Sequence, residues 1–175
     1  GFSPQVKAAF GPAIAVGYES KSEYVDLSLT ERVDTDILKK EIVKILPKGY
    51  NITEVKYIPL KLPSIEALVN LAKYTVKGIK ISQEYTDNYL SQKEIPISKI
   101  KKGIEKFVDA KDLIREIKII DDNTVEFLLR IRQDKSLKLE KILQNFLRKE
   151  EKEIKILYTV RDGLFIENKG KVYEL

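Results

Sequence analysis

The residues best able to do chemistry lie in the first 23 positions. Glu19 and Glu23 supply carboxylates, Ser20 a hydroxyl, and Lys7 a cation suited to a phosphate or a carboxylate. Gly11-Pro12 and Gly17 permit unusual backbone angles and the close approach of a ligand or partner chain. The same Gly and Pro residues would equally shape a bulged hairpin with Tyr24 packed beneath it. Absent residue types narrow the field. With no His and no Cys, the chain lacks the usual ligands of zinc and iron–sulfur sites and the nucleophiles that depend on thiol or imidazole. Disulfides are impossible. The carboxylate pairs Asp34/Asp36, Asp121/Asp122 and Glu150/Glu151 sit at cap or turn positions, where backbone bonding and solvation account for them. No P-loop, dinucleotide fingerprint or nucleophile elbow is present. No catalytic or metal-ligating residue is assigned.

Basic residues form the second candidate site. Lys99, Lys102 and Lys106 share one helix face at intervals of three and four, and Lys101 with Lys73, Lys77 and Lys80 adds nearby charge if the sheet packs as expected. Such a stripe can track phosphates, although a solvated helix face has the same pattern. Tyr74, Tyr85 and Tyr89 provide modest aromatic interleaving for single-stranded RNA. The net charge of +5 is uneven: residues 1–72 hold nine basic and nine acidic residues, leaving 23 and 18 for the remainder. All the excess therefore falls in the second part, which reads as a Lys-rich solvated surface or, alternatively, as a polyanion-facing one.

The 175 residues suit one domain or two small ones, and 43% hydrophobic content is ample for a core. No apolar run reaches the roughly 18–20 residues that span a bilayer, and there is no signal-peptide pattern, so a cytoplasmic location is expected. Abundant Lys, Glu and Ile without Met or Trp fit a thermophile's composition. The lack of Met at the start suggests a fragment of a longer chain.

Three helices are expected to position these residues. The first follows Asp34-Thr35-Asp36, carries Ile37, Leu38, Ile42, Ile45 and Leu46 on one stripe, and stops at Pro47-Lys48-Gly49. The second runs from Ser98 to Ala110 with Ile100, Ile104, Phe107 and Val108 inward. The third runs from Leu137 to Lys149 with Leu139, Ile142, Leu143, Phe146 and Leu147 inward. Apolar runs Val6–Phe10 and Ala13–Val16, then Glu23–Leu29, Ile52–Leu60, Tyr74–Ile81, Ile114–Ile120, Thr124–Arg132 and Ile154–Ile166, read as strands. Asp121-Asp122-Asn123 joins residues 114–132 into a hairpin, and Ser64–Ala72 reads as a brief helix or linker.

Residues 74–166 thus spell strand, helix, strand, strand, helix, strand, the ferredoxin-like split βαβ unit. Residues 6–60 spell strand, strand, helix, strand. The fold expected is α+β: two tandem ferredoxin-like units, the first lacking its opening strand and helix. The domains are 1–62, a partial unit with the Gly/Pro-rich hairpin; 63–73, a connecting short helix; and 74–175, a complete and net basic unit. A missing opening strand leaves a sheet edge exposed.

Gly1-Phe2-Ser3-Pro4-Gln5-Val6-Lys7, then Phe10-Gly11-Pro12-Ala13 through Val16-Gly17-Tyr18-Glu19-Ser20, then Glu23-Tyr24-Val25-Asp26-Leu27, carry a family resemblance. They resemble domains of unknown function linked to radical S-adenosylmethionine (SAM) proteins, which carry G-F-x-P-H-P-K, F-G-P-A-x-x-V-G-x-E-S and E-Y-x-D-L. The likeness covers residues 1–76 well and extends weakly to Val160-Arg161. The family's His-Pro reads Gln5-Val6 here, so no imidazole role carries over.

The resemblance implies a non-catalytic accessory or substrate-recognition domain, either a C-terminal extension of a radical SAM protein or a separate neighbour-encoded partner. A 4Fe–4S cluster and SAM, often with cobalamin, are then expected on the linked segment or partner. The cluster needs a C-x-x-x-C-x-x-C loop that is absent here. Family members typically place an extra strand and helix before the G-F-x-P turn. The contact residues implied are Phe2, Pro4, Lys7, Phe10, Gly11, Pro12, Gly17, Glu19, Ser20 and Glu23, with RNA as the substrate class that the basic second part suggests. One alternative is a free-standing RNA-modifying enzyme of pseudouridine-synthase-like architecture, with Asp26 as its single catalytic Asp, although the R-x-D-x-G-V-H context is missing. A purely structural docking module is another.

Overall fold

The computed structural model describes residues 7–101, 103–132, 135 and 137–175. Strands β1 (Lys7–Phe10), β2 (Glu19–Ser20) and β3 (Val25–Ser28) come first. β1 and β3 pair as an isolated antiparallel ribbon, while β2 leaves it to join a strand far along the chain. Helix α1 (Thr35–Ile45) starts where expected, its N-cap Asp34 accepting from the backbone N of Asp36 and Ile37 at 2.9 and 3.1 Å. Its apolar stripe nevertheless buries no residue. Helix α2 (Ile65–Leu68) is a single turn following Pro63.

Two expected strands in this part do not form. Ala13–Val16 is irregular, and so is the Ile52–Leu60 segment. Strand propensity expresses fit to a half-buried pleated surface, and among the described residues no strand pairs with 52–60. Instead the Tyr57 hydroxyl donates to Val33 O, Lys39 Nζ donates to Thr53 O at 2.8 Å, and the Arg32 guanidinium lies 4.7 Å from the Tyr57 ring centre. The segment runs alongside α1 without closing a sheet, so the N-terminal copy expected of a tandem repeat lacks its last strand.

The remaining elements are β4 (Leu71–Lys77), α3 (Gln83–Ser91), β5 (Pro96–Lys101), β6 (Ile104–Asp109), a 3-10 turn at Ala110–Asp112, β7 (Ile114–Asp121), β8 (Thr124–Arg130), α4 (Leu139–Leu147), α5 (Glu151–Ile154), β9 (Tyr158–Asn168) and β10 (Lys171–Tyr173). The architecture is mixed α and β. The main sheet runs β10-β9-β4-β8-β7, antiparallel throughout, with β2 added in parallel to the start of β9. β2 and β10 therefore share the outer edge of β9.

Period-two alternation decides which face is buried. In β4, Ala72, Tyr74 and Val76 face one side, and Lys73, Thr75 and Lys77 the other. Val76 lies opposite Val125 and Thr159, Tyr74 opposite Phe127 and Arg161, and Ala72 opposite Leu129 and Leu164. α4 covers this face with Leu139, Ile142, Leu143 and Phe146, and α3 adds Thr86 and Tyr89. Phe146 is the centre of that core, with edge-to-face contacts to Tyr89, Phe127 and Tyr85 at 4.8, 5.6 and 5.7 Å. A second, smaller cluster of Ile65, Val69, Ala72 and Leu164 packs under Ala9 and Tyr24 from the N-terminal ribbon. Tyr74 borders both clusters.

The helix expected over Ser98–Ala110 is instead the β5–β6 hairpin. Ile100, Ile104 and Phe107 imitate a helical stripe but project into solvent, while Ile97 and Val108, opposite each other across the ladder, are the residues that are buried. Gly103 turns the chain at φ +75°. The Asp109 carboxylate closes the base by accepting from the backbone N of Ile95 and Lys111 at 2.8 and 3.0 Å. The helix that does form is α3, capped by Ser82, whose hydroxyl accepts from Tyr85 N at 3.2 Å. Among the described residues, no helix is long and apolar enough to cross a membrane.

These placements separate two aromatic residues of similar sequence appearance. Phe146→Ala is expected to cost about 3–5 kcal/mol in urea unfolding, whereas Phe107→Ala on the hairpin should stay within about 0.5 kcal/mol. Equal losses at the two positions would return residues 98–110 to a core-facing helix.

Candidate functional site

Arg161 fastens the glycine-rich segment to the sheet. It sits on the covered face of β9 opposite Tyr74 and has no exposed surface. Leaving a buried guanidinium unpaired is costly, and the segment supplies what it needs. Arg161 Nε donates to Glu23 Oε1 at 2.9 Å, Nη2 donates to Glu23 Oε2, and Nη1 donates to Ala13 O at 3.3 Å. This two-point fork on a carboxylate is the strong form of the contact. Ser20 adds a hydroxyl donor to the same carboxylate, and Lys21 N donates to Arg161 O at 3.0 Å.

Two tyrosines and the Glu140 carboxylate lie near the buried side of this pair. The Tyr18 and Tyr74 rings meet edge to face at 6.4 Å. Among the described residues, the Tyr18 hydroxyl and Glu140 Oε2 are buried without a hydrogen-bond partner, Glu140 coming from the first turn of α4. Burial, followed by the Glu140 charge, pushes the Tyr18 phenol far above its ordinary range. Burial also raises Tyr74, and Arg161 only partly offsets it. Neither phenol is available as a base near neutral pH. The cluster is therefore a fixed ion pair ringed by protonated tyrosines.

The seam continues at a bulge. Lys73 pairs with Gly163 and Tyr74 with Arg161, leaving Asp162 as the extra residue. Asp162 accepts from Lys21 Nζ at 2.6 Å and Thr75 Oγ1 at 2.5 Å. Burial alone would raise its pKa, but those two hydrogen bonds together with the charges of Lys21 and Lys73 outweigh it and the net shift is downward. The Tyr158 hydroxyl donates to Glu19 Oε2 at 2.6 Å, which raises the phenol pKa.

The structure thus brings together Glu19, Ser20 and Glu23 from the expected set, and all three grip β9. Gly11 makes a close approach, but to this chain's own Leu164: a Cβ there would lie 3.3 Å from Leu164 Cδ1. Gly17, at φ +93°, serves a turn with open space around it. Lys7 and Phe10 are exposed on β1, and Pro12 is half-buried. Phe2, Pro4 and Lys102 lie outside the described residues. Lys99 and Lys106 do not share a helix face; they stand directly opposite each other across the β5–β6 hairpin. Asp26 Oδ2 accepts from Ile65 N at 2.7 Å, binding the start of α2.

Sequence reasoning missed Tyr18, Glu140, Tyr158, Arg161 and Asp162 as a group. The available signal was Arg161-Asp162 set within the apolar run Ile156–Ile166, where an inward charge must have a partner.

A family model described as "Uncharacterized protein conserved in bacteria (DUF2344)" matches residues 1–155. The chain belongs to the DUF2344 family. No curated protein and no solved structure matches it. The family match in this DUF2344 chain includes Glu19, Ser20 and Glu23 but ends before β9, so Arg161 lies beyond it.

The seam predicts a strongly non-additive mutant cycle. Glu23→Gln should lower stability by about 3 kcal/mol in urea unfolding, since it strands the buried Arg161 guanidinium, whereas Arg161→Met leaves only the half-exposed Glu23 carboxylate and should cost less. The double variant is expected to lie within about 1 kcal/mol of the better single variant or above it. Additive losses would show that the pair is not coupled.

Proposed function

We propose that this chain is a non-catalytic accessory domain of a radical SAM system, seated on its fused or neighbour-encoded partner through the N-terminal part. The observation that carries this reading is the uncovered apolar surface of residues 7–62. Val16 and Leu60 are fully exposed, Ile45 is 81% exposed and Phe10 67% exposed, and α1 buries nothing. Exposed patches of this kind mark interaction sites. The Arg161–Glu23 seam supports it by holding the segment in one orientation, so that docking costs less ordering entropy. Radical SAM linkage itself rests on the sequence resemblance.

The donor set does not fit an iron–sulfur cluster. There is no Cys or His, and among the described residues no three Asp or Glu side chains converge. In this reading the 4Fe–4S cluster, SAM and any cobalamin belong to the linked protein. The strand order β9-β4-β8-β7, with α3 and α4 on one face, supports a ferredoxin-like unit over residues 71–168.

Isothermal titration of the chain against its radical SAM partner tests the docking surface. Ile45→Asp with Leu60→Asp is expected to weaken binding at least about tenfold, with the unfolding midpoint unchanged. Binding that ignores both substitutions would remove the N-terminal surface from the reading.

Lys99 opposite Lys106 on a projecting hairpin, in the net basic part of the chain, favours RNA as the recognised substrate. Anisotropy with a single-stranded RNA should show affinity falling with salt, at a slope of about −0.7 per phosphate contacted, and a shallower slope for Lys106→Glu. Salt-independent binding, or none at low salt, would exclude RNA.

A further inference from the structure

A cleft of about 500 Å³ opens where β4 hands over to α3 and α4 to α5, away from the Arg161 seam. It is within the size range of small-molecule sites. Ile79, Ile81, Leu147 and Leu157 give it apolar walls, and Lys80, Arg148 and Lys149 give it three cations. No carboxylate is among the residues lining it. Glu153 lies 3.6 Å from Lys149. Among the described residues, neither the Lys80 nor the Arg148 side chain has a hydrogen-bond or ion-pair partner.

Arg148 is held in the left-handed region, at φ 54° and ψ 43°, as the C-cap of α4. Helix ends place Gly or Asn there because a Cβ is disfavoured. Lys169, the other non-glycine residue of this kind among those described, sits beside Gly170 in the β9–β10 turn, where the turn geometry explains it. At Arg148 the backbone requires no such side chain, and a strained residue lining a cleft points to a ligand. The opposite wall is fixed. Gly78, at φ +93°, and Ile79 both donate their backbone N–H to Asn123 O, at 2.9 and 3.3 Å. The Tyr85 hydroxyl is already committed to Phe146 O at 2.6 Å, so its ring serves as wall.

We infer that this cleft binds a small phosphomonoester, its phosphate held by Arg148 and Lys80 and its apolar body against Ile79, Ile81, Leu147 and Leu157. Two cations without partners suit a group that carries nearly two negative charges, and guanidinium matches its oxygens in a fork. The apolar walls exclude free phosphate as the preferred occupant.

Amide chemical-shift titration of the ¹⁵N-labelled full chain tests the assignment, with 1-naphthyl phosphate, 1-naphthol and inorganic phosphate as probes. Naphthyl phosphate is expected to shift residues 78–81 and 147–149 saturably, and to bind at least about tenfold tighter than either fragment. Arg148→Gly is the decisive variant, because glycine suits the left-handed backbone and should hold or raise the unfolding midpoint. Its affinity for naphthyl phosphate should fall about tenfold or more. Equal binding of naphthol, unchanged affinity in Arg148→Gly, or shifts scattered over distant lysines would each overturn the site.

Discussion

A guanidinium with no exposed surface dictates what must surround it. Arg161 sits at the boundary of two apolar clusters, one under α3 and α4 and the other under the N-terminal ribbon. It can remain charged there only if a carboxylate comes to it. Glu23 does so from 138 residues away in sequence, bringing Tyr18, Glu19 and Ser20 with it. The parallel pairing of β2 with β9 and the Lys21–Asp162 bridge then follow on either side. Ion pairs of this kind contribute little net stability against an apolar replacement. What this one fixes is position: a segment with few apolar contacts of its own acquires a single register on the sheet.

The elements legible in the sequence were those whose periodicity coincides with burial, together with α1, which its Asp34 cap marked although it buries nothing. α4 has its apolar residues at three- and four-residue spacing, and they are the core. The residues 114–132 hairpin is marked by alternation on both strands and by the Asp121 side chain, which accepts from Asn123 N at 2.8 Å in the turn. α3 was not legible because it buries only Thr86 and Tyr89, a stripe too sparse to stand out from its polar residues. The β5–β6 hairpin failed differently. Ile100, Ile104 and Phe107 have helical spacing by coincidence, since the hairpin buries only its base. Gly103, in the middle of the supposed helix, was the residue that argued otherwise.

The site divided along similar lines. Gly17 takes the left-handed backbone that glycine permits, yet glycine does not say what comes close. At Gly11 the neighbour is Leu164, an internal contact. Arg161 and Asp162 were harder still, because their partners lie at the far end of the chain and a charge within an apolar strand does not name them. Long-range polar pairing has no period, so pattern reading finds one half at most.

The two ends of the molecule face opposite demands. The C-terminal sheet buries Val76, Val125, Phe127 and Phe146 almost completely and is self-sufficient in apolar contacts. The N-terminal part is ordered by polar contacts to β9 and by the small cluster beneath Tyr24, while its larger apolar side chains stay in water. Hydrophobic burial is the dominant favourable term in folding and in most association, and here that term remains unspent in residues 7–62. A partner that covers them therefore adds to the stability of the whole chain in proportion to how tightly it binds. The seam at Arg161 ties the segment from Ala13 to Glu23 to β9, so that part of the N-terminal surface is held in one position on the sheet.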